Sequence, residues 1–189
     1  MEKRRLYTLC ACLLPLMICS GLVYSMFSLY MADTLGASRS QIGLIYMVGS
    51  AVGLFFGPYI GRLADRFGRK PVILASMAGF VLIFFFYAYA QNYLLVYPIQ
   101  LLEGSAWVGI SAASTAYIAD TIVAEKRGWA MGVYQQTLSI GWMIGPAFAG
   151  FLSDFIGFRM TFILGAILVI VGFVLIIILV REPERTKKE

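Results

Sequence analysis

Long uncharged apolar runs alternate along this chain with short clusters of charge. A helix that crosses a membrane needs roughly 20 mostly apolar residues, and the runs supply six. Leu6–Ala32 predicts the first, Ser40–Gly61 the second. Pro71–Leu102 is uncharged but too long for one crossing; its polar break at Gln91-Asn92-Tyr93 ends a third helix near Ala90. A fourth runs from about Leu94 to Ala119, a fifth over Gly128–Ser153 and a sixth over Met160–Val180. Backbone groups in lipid must be satisfied within the segment, which excludes an open sheet. The expected fold class is all-α integral membrane, a six-helix domain over residues 1–181 with a short polar tail over 182–189.

Composition agrees. Of the 189 residues 60% are hydrophobic and only 13% charged, too much apolar side chain for a soluble domain of this size to cover. The lipid bilayer is therefore the first expected partner. Met1-Glu2-Lys3-Arg4-Arg5 before an apolar run resembles a signal peptide, but the run continues past the 7–15 residues of a cleavable core. The net charge is +5, yet the basic residues sit between apolar runs and mark topology, with no nucleic-acid partner implied. Of the 15 Lys and Arg, 13 fall on one side of the six crossings, all except Arg39 and Arg159. The positive-inside rule puts both termini in the cytoplasm of a plasma or inner cell membrane. Cys10, Cys12 and Cys19 share one run, have no histidine or cysteine cluster near them, and read as free thiols without a metal. No phosphate-binding loop, triad or metal-ligand cluster points to an enzyme or a cofactor.

The most heavily charged break between two apolar runs lies in Gly61-Arg62-Leu63-Ala64-Asp65-Arg66-Phe67-Gly68-Arg69-Lys70, before Pro71. It reads as a tight cytoplasmic turn, with Gly61 and Gly68 giving the backbone room. Its pattern returns after 89 residues: Gly61, Leu63, Asp65 and Gly68 match Gly150, Leu152, Asp154 and Gly157. Gly57-Pro58 and Gly145-Pro146 precede the two copies. Three intervening crossings put the copies on opposite faces, the mark of a 3+3 inverted repeat.

Gly-x-Leu-Ala-Asp-Arg-x-Gly-Arg-Lys resembles the loop between helices 2 and 3 of major facilitator superfamily transporters. Gly141-Trp142-Met143-Ile144-Gly145-Pro146-Ala147-Phe148-Ala149-Gly150 is similar to the helix 5 motif of that superfamily's drug:proton antiporters, with Ala149 in place of one glycine. The resemblance implies half of a twelve-helix fold, its N-terminal half, with the tail resembling the start of the linker between halves. It implies secondary transport of small organic solutes, and proton-coupled drug efflux in the nearest branch. It also implies a cytoplasmic gate built from Gly61, Asp65, Arg66, Gly68, Arg69 and Lys70, with Asp120 and Arg127 pairing with this loop.

Glu103 is the one ionisable residue deep in an apolar run, roughly 14 Å from Leu94 at 1.5 Å per residue. A charge there costs roughly 2.5–3.5 kcal/mol, so it is a candidate for proton or substrate binding. The alternative is a protonated acid hydrogen-bonded to a neighbour as helix glue. Gln100, Glu103, Trp107, Ser111 and Ser114 recur on one helical face, expected to point into the bundle. Related antiporters carry Arg-x-x-Gln-Gly in this helix; here Gln100 and Glu103 occupy the Arg and Gln positions, so the usual proton route is not spelled out. Ser20, Tyr24 and Phe27 on helix 1, with Gln135, Gln136 and Ser139 on helix 5, are further candidate pocket residues. Gly49, Gly53, Gly57 and Gly61 form a packing seam on helix 2, as Gly141, Gly145 and Gly150 do on helix 5. Both seams are expected to face a second six-helix half, from a second copy or another stretch of polypeptide. The competing expectation is a subunit that packs with other membrane helices and transports nothing.

Overall fold

A computed structural model describes residues 2–183; the remainder of the tail lies outside the described residues. Every regular element among the described residues is helical. Helix α1 spans Glu2–Leu29 and runs into a π-helical turn, Tyr30–Thr34. Helices α2 (Arg39–Phe67), α3 (Arg69–Tyr89) and α4 (Val96–Thr121) follow. The last helical stretch, Arg127–Leu179, breaks at Gly157 (φ 75°, ψ 164°) into α5 (127–156) and α6 (158–179). Six helices form where six were expected, with bounds that shift at the motifs.

The largest shift concerns the charged turn. The sequence reads residues 61–70 as a loop, but α2 continues to Phe67 and α3 begins at Arg69. Only Gly68 is non-helical (φ 113°, ψ 161°), a conformation open to almost no residue but glycine. A Cβ at Gly68 would also lie 2.6 Å from the Glu182 carboxylate. Gly61, by contrast, is an ordinary helical residue with open space beside it. Its glycine gives no room to the turn.

Gly157 repeats this device. The two glycines that the repeat aligns, 89 positions apart, are both positive-φ residues with near-identical ψ, and each reverses the chain between two helices. They lie at opposite ends of the bundle. The Gly68 turn meets Asp120, Ile177 and Glu182 through Arg69 and Lys70, whereas Gly157 shares a cavity wall with Tyr30, Tyr89 and Gln91. The pairing of helices has the same symmetry. Helix α1 packs on α5 and α6, and α4 packs on α2 and α3, so exchanging the two triplets of helices maps one set of contacts onto the other.

By length and composition, four helical stretches can cross a membrane: Glu2–Thr34, Arg39–Phe67, Arg69–Tyr89 and Ala124–Leu179, the last divided by Gly157. Helix α4 is not among them, because Gln100, Glu103 and a succession of glycines and serines dilute its apolar character. It is tolerable in lipid because its polar face is covered by α2 and α3. Helix α1 is the most enclosed element and α2 the most open. A face of Leu54, Phe55, Phe56 and Tyr59 on α2, each more than half exposed, has no cover within the chain.

The glycine seams divide differently from the expectation. Gly141 and Gly145 do not face outward; they press on α1, where added Cβ atoms would come within 2.4 Å of Met17 Cβ and the Leu22 backbone nitrogen. Gly49 is equally tight against Gln100 of α4, while Gly53 has only Val108 near it at 3.6 Å and Gly57, Gly61 and Gly150 have nothing within 4 Å. Helix geometry explains this. Steps of four residues advance about 40° each around an α-helix, so a four-glycine seam winds away from any single partner.

Candidate functional site

Helix α4 is held close to its neighbours by small residues. A Cβ on Gly104 would lie 2.4 Å from the Gly49 carbonyl oxygen, and one on Gly109 would overlap the Ser76 hydroxyl. This close approach places Gln100 and Glu103, each 3% exposed, between α2 and α3. Tyr87 of α3 donates its hydroxyl proton to Glu103 Oε2. Gln100 Nε2 donates to the same oxygen at 3.0 Å and to the Tyr87 hydroxyl at 2.9 Å. The carboxyl thus sits in a closed triangle of neutral groups. Among the described residues the two ion pairs lie elsewhere, so no cation neutralises it.

In front of this triangle is a groove of about 270 Å3 between α1, α2 and α4, lined by Tyr24, Tyr46, Ser50, Gln100 and Trp107 along with small residues. The groove is framed by ring contacts. Tyr24 lies 6.2 Å from Tyr46 and 5.4 Å from Trp142 of α5, and Trp107 stands edge-on to Phe80 at 5.2 Å. Phe27 bridges Tyr46 and Tyr87, at 5.5 and 5.1 Å. Gln100 is the one residue that belongs to both groove and triangle, so its amide links the open space to the buried carboxyl. Aromatic faces with a few polar groups can hold flat or cationic organic molecules.

The structure therefore brings together Tyr24, Gln100, Glu103 and Trp107 from the sequence candidates. Gln136 is exposed on α5 and is not among the groove's lining residues, and the same is true of Gln135 and Ser139. Ser20 is buried and returns its hydroxyl to the Leu16 carbonyl, 2.8 Å away. Ser114 is buried but Ser111 is exposed, which corrects the single inward stripe. On a helical wheel Ser111 stands about 80° from Glu103, enough to reach the rim. Tyr87, Tyr46 and Trp142 were not picked out from the sequence. Tyr87 had a usable signal, a hydroxyl after Phe84-Phe85-Phe86 that must find a partner when buried.

A second constellation lies at the Gly68 end. Arg69 holds two carboxylates, Asp65 at 2.5 Å and Asp120 at 2.9 Å, and its own side chain is only 17% exposed. The amides of Arg69 and Lys70 donate to the two oxygens of Glu182 at 2.6 and 2.7 Å. These are among the N–H groups that a helix N-terminus leaves unpaired, and a carboxylate there also opposes the helix dipole favourably. Lys70 Nζ reaches the Ile177 carbonyl at 2.8 Å. The Asp120 pairing matches the expectation. Arg127 instead donates to the Ala119 and Ile122 carbonyls at the end of α4, satisfying groups that helix leaves open. Glu182, read from sequence as the first residue of a tail, is a cap on α3.

A six-helix bundle with a two-fold exchange of triplets and a one-residue charged hairpin is an all-α membrane architecture built on an inverted repeat. A profile of the Major Facilitator Superfamily matches residues 9–189, and the chain belongs to that family. Its members are transporters and not enzymes. Among its relatives are Multidrug resistance protein 2 of Bacillus subtilis (strain 168), 30% identical over 77% of this chain and 36% of that protein, and Multidrug resistance protein 1 of the same organism, 30% identical over 81% and 39%. Quinolone resistance protein NorA of Staphylococcus aureus is 25% identical over 88% of this chain and 42% of its own length. The crystal structure of the human organic anion transporter MFSD10 (TETRAN) superposes with a TM-score of 0.78 over 99% of this chain and 49% of that one, at 20% identity, which establishes the shared fold. The chain spans about two fifths of the length of the bacterial relatives it matches.

Proposed function

We propose that this chain forms one six-helix half of a proton-coupled exporter of amphipathic organic compounds. The observation that carries the reading is the aromatic groove of Tyr24, Tyr46 and Trp107 with Gln100 leading to the uncompensated Glu103 carboxyl. The groove supplies apolar and ring contacts for a substrate of loose specification. Glu103, with Tyr87 and Gln100 as its only neutral donors in view, binds and releases the coupling proton in place of the arginine that related antiporters carry. The relatives named for multidrug and quinolone resistance support this substrate class. Asp65, Arg69, Lys70 and Asp120 form the cytoplasmic gate, with Gly61, Arg66 and Gly68 as the rest of its motif.

The open apolar face of α2 supports a second half packed against this one. In a twelve-helix unit the groove gains its missing wall, and transport is the rocking of one half on the other. Native mass measurement in mild detergent, followed by dye-efflux assays in cells that lack other exporters, tests this. We expect a twelve-helix unit (a homodimer, a complex with a second six-helix polypeptide, or a longer chain of which this is a part) that lowers accumulation of a lipophilic aromatic dye when the membrane carries a proton gradient. A stable six-helix monomer that transports alone would overturn the half-unit reading.

The charge distribution supports cytoplasmic termini, with the Gly68 turn on the same side. In a background without the three native cysteines, Arg66→Cys should react with an impermeant thiol reagent only from the cytoplasmic face, and Asn92→Cys only from the opposite face. Labelling of both from one face is incompatible with six crossings.

A further inference from the structure

At the end of the bundle that carries the Gly68 turn, α1, α4 and the end of α6 border an open cavity of about 590 Å3. Arg4, Arg5 and Arg181 line it, with Tyr117, Ile178 and Leu179 among its other walls. We propose that this cavity is a binding site for the headgroup of an anionic phospholipid, with the phosphodiester held by the three arginines and an acyl chain lying down the outside of α6.

Charge is the first part of the argument. Three guanidiniums share one cavity, and among the described residues none of them has a carboxylate within ion-pair distance. The acid nearest in sequence to Arg181 is Glu182, and both its oxygens are taken by the amides of Arg69 and Lys70. Like charges gathered with no ion-pair partner among the described residues repel, and an anion among them lowers the repulsion. Guanidinium forks match phosphate oxygens in pairs, whereas a lone chloride would use none of that geometry.

The shape of the site is the second part. Tyr117 is 1% exposed, and its hydroxyl donates to the Arg181 carbonyl at 2.9 Å. That bond fixes the backbone of Arg181 beside the cavity just where α6 has ended at Leu179. Other basic residues at this end rest on neighbouring rings and line no part of this cavity: Arg62 lies over the Tyr59 ring and Arg66 over that of Phe67. These have the ordinary position of residues that mark the membrane boundary. Arg4, Arg5 and Arg181 line one cavity from two different helix ends, and that separates a site from an anchor.

The third part selects a lipid over a soluble phosphate. Ile178 and Leu179 are 69% and 53% exposed, at the foot of an apolar stripe on α6 that continues through Val174 and Val171. A soluble anion would leave that wall unused. A phospholipid places its headgroup among the arginines and its chain along the stripe, the arrangement by which basic pockets between membrane helices hold anionic lipids.

The test uses the purified full chain in mild detergent and follows thermal unfolding against three probes: short-chain phosphatidylglycerol, phosphatidylcholine of the same chain length, and glycerol 3-phosphate. Phosphatidylglycerol should raise the unfolding midpoint at a concentration where the other two do nothing. The double variant Arg5→Gln/Arg181→Gln should need at least tenfold more phosphatidylglycerol for the same rise. Arg62→Gln/Lys126→Gln, which removes the same charge from the same end, should behave as the unaltered protein. Equal protection by phosphatidylcholine, which can be read without any variant, would overturn the proposal. Equal protection by glycerol 3-phosphate would assign the cavity to a soluble phosphate and overturn the lipid assignment. An equal loss in the second double variant would reduce the effect to diffuse surface charge.

Discussion

Glu103→Gln should reduce pH-driven export by the assembled transporter to background while leaving insertion and folding intact. The substitution keeps the shape of the side chain and its ability to accept from Tyr87 and Gln100, and removes only the proton equilibrium. A role as helix glue predicts the reverse, because glutamine is at least as good a hydrogen-bonding partner as a neutral acid. Tyr87→Phe separates the two readings further. It retains the carboxyl but deletes one of the two donors to Oε2. A hydrogen bond to a charged group contributes about 1.5–3 kcal/mol, so the transport rate should drop by roughly ten- to a hundredfold without losing its dependence on the gradient. Flux measured in proteoliposomes with an imposed pH step gives both values. If Glu103→Gln exports with unchanged pH dependence, the coupling proton travels elsewhere and Glu103 is structural.

The second large effect is mechanical. Gly145→Leu should destabilise the bundle severely, and Gly57→Leu, at the aligned Gly-Pro of the other repeat, should leave the isolated chain within about 0.5 kcal/mol of its original stability. The reason is the character of the neighbours. At Gly145 the first atoms a Cβ meets are the Leu22 amide nitrogen and the Ile18 carbonyl oxygen, at 2.4 and 2.5 Å, so no side chain can rotate out of the way. Overpacking of this kind costs about 1–3 kcal/mol when side chains can yield, and backbone cannot. Thermal unfolding in detergent compares the two directly. The loss at Gly57 should appear in a different measurement, the assembly of two halves, since its side of α2 is open within this chain.

The contrast between these two glycines shows what could be read from sequence and what could not. The length of the uncharged apolar runs located all six helices, because span length and charge placement depend only on local chemistry. The repeat was legible for the same reason: Gly68 and Gly157 are required by one backbone geometry that almost no other residue can adopt. Glu103 stood out because a carboxylate in an apolar run has few harmless explanations. Which side of a seam meets a partner depends on how helices cross, and neither Gly57 nor Gly145 carries that information in its neighbours. Tyr87, Tyr46 and Trp142 were hidden among many other aromatic residues. Glu182 was hidden by its position near a charged tail, since the amides it caps lie 112 and 113 residues earlier in the chain.

The one-residue hairpin at Gly68 also has a consequence for how this chain tolerates insertion and deletion. Helix α3 resumes at Arg69 without slack, and Tyr87 lies 19 residues beyond Gly68 on an unbroken helix. Each residue of α-helix turns the chain by about 100° and advances it about 1.5 Å. One residue added or lost between Gly68 and Tyr87 would therefore swing the tyrosine hydroxyl away from Glu103 while every helix remained intact. In most proteins a surface connection absorbs changes in length. Here the connection sets the reading frame of the site in space, so its length is constrained from about 28 Å away by a buried carboxyl group it never touches.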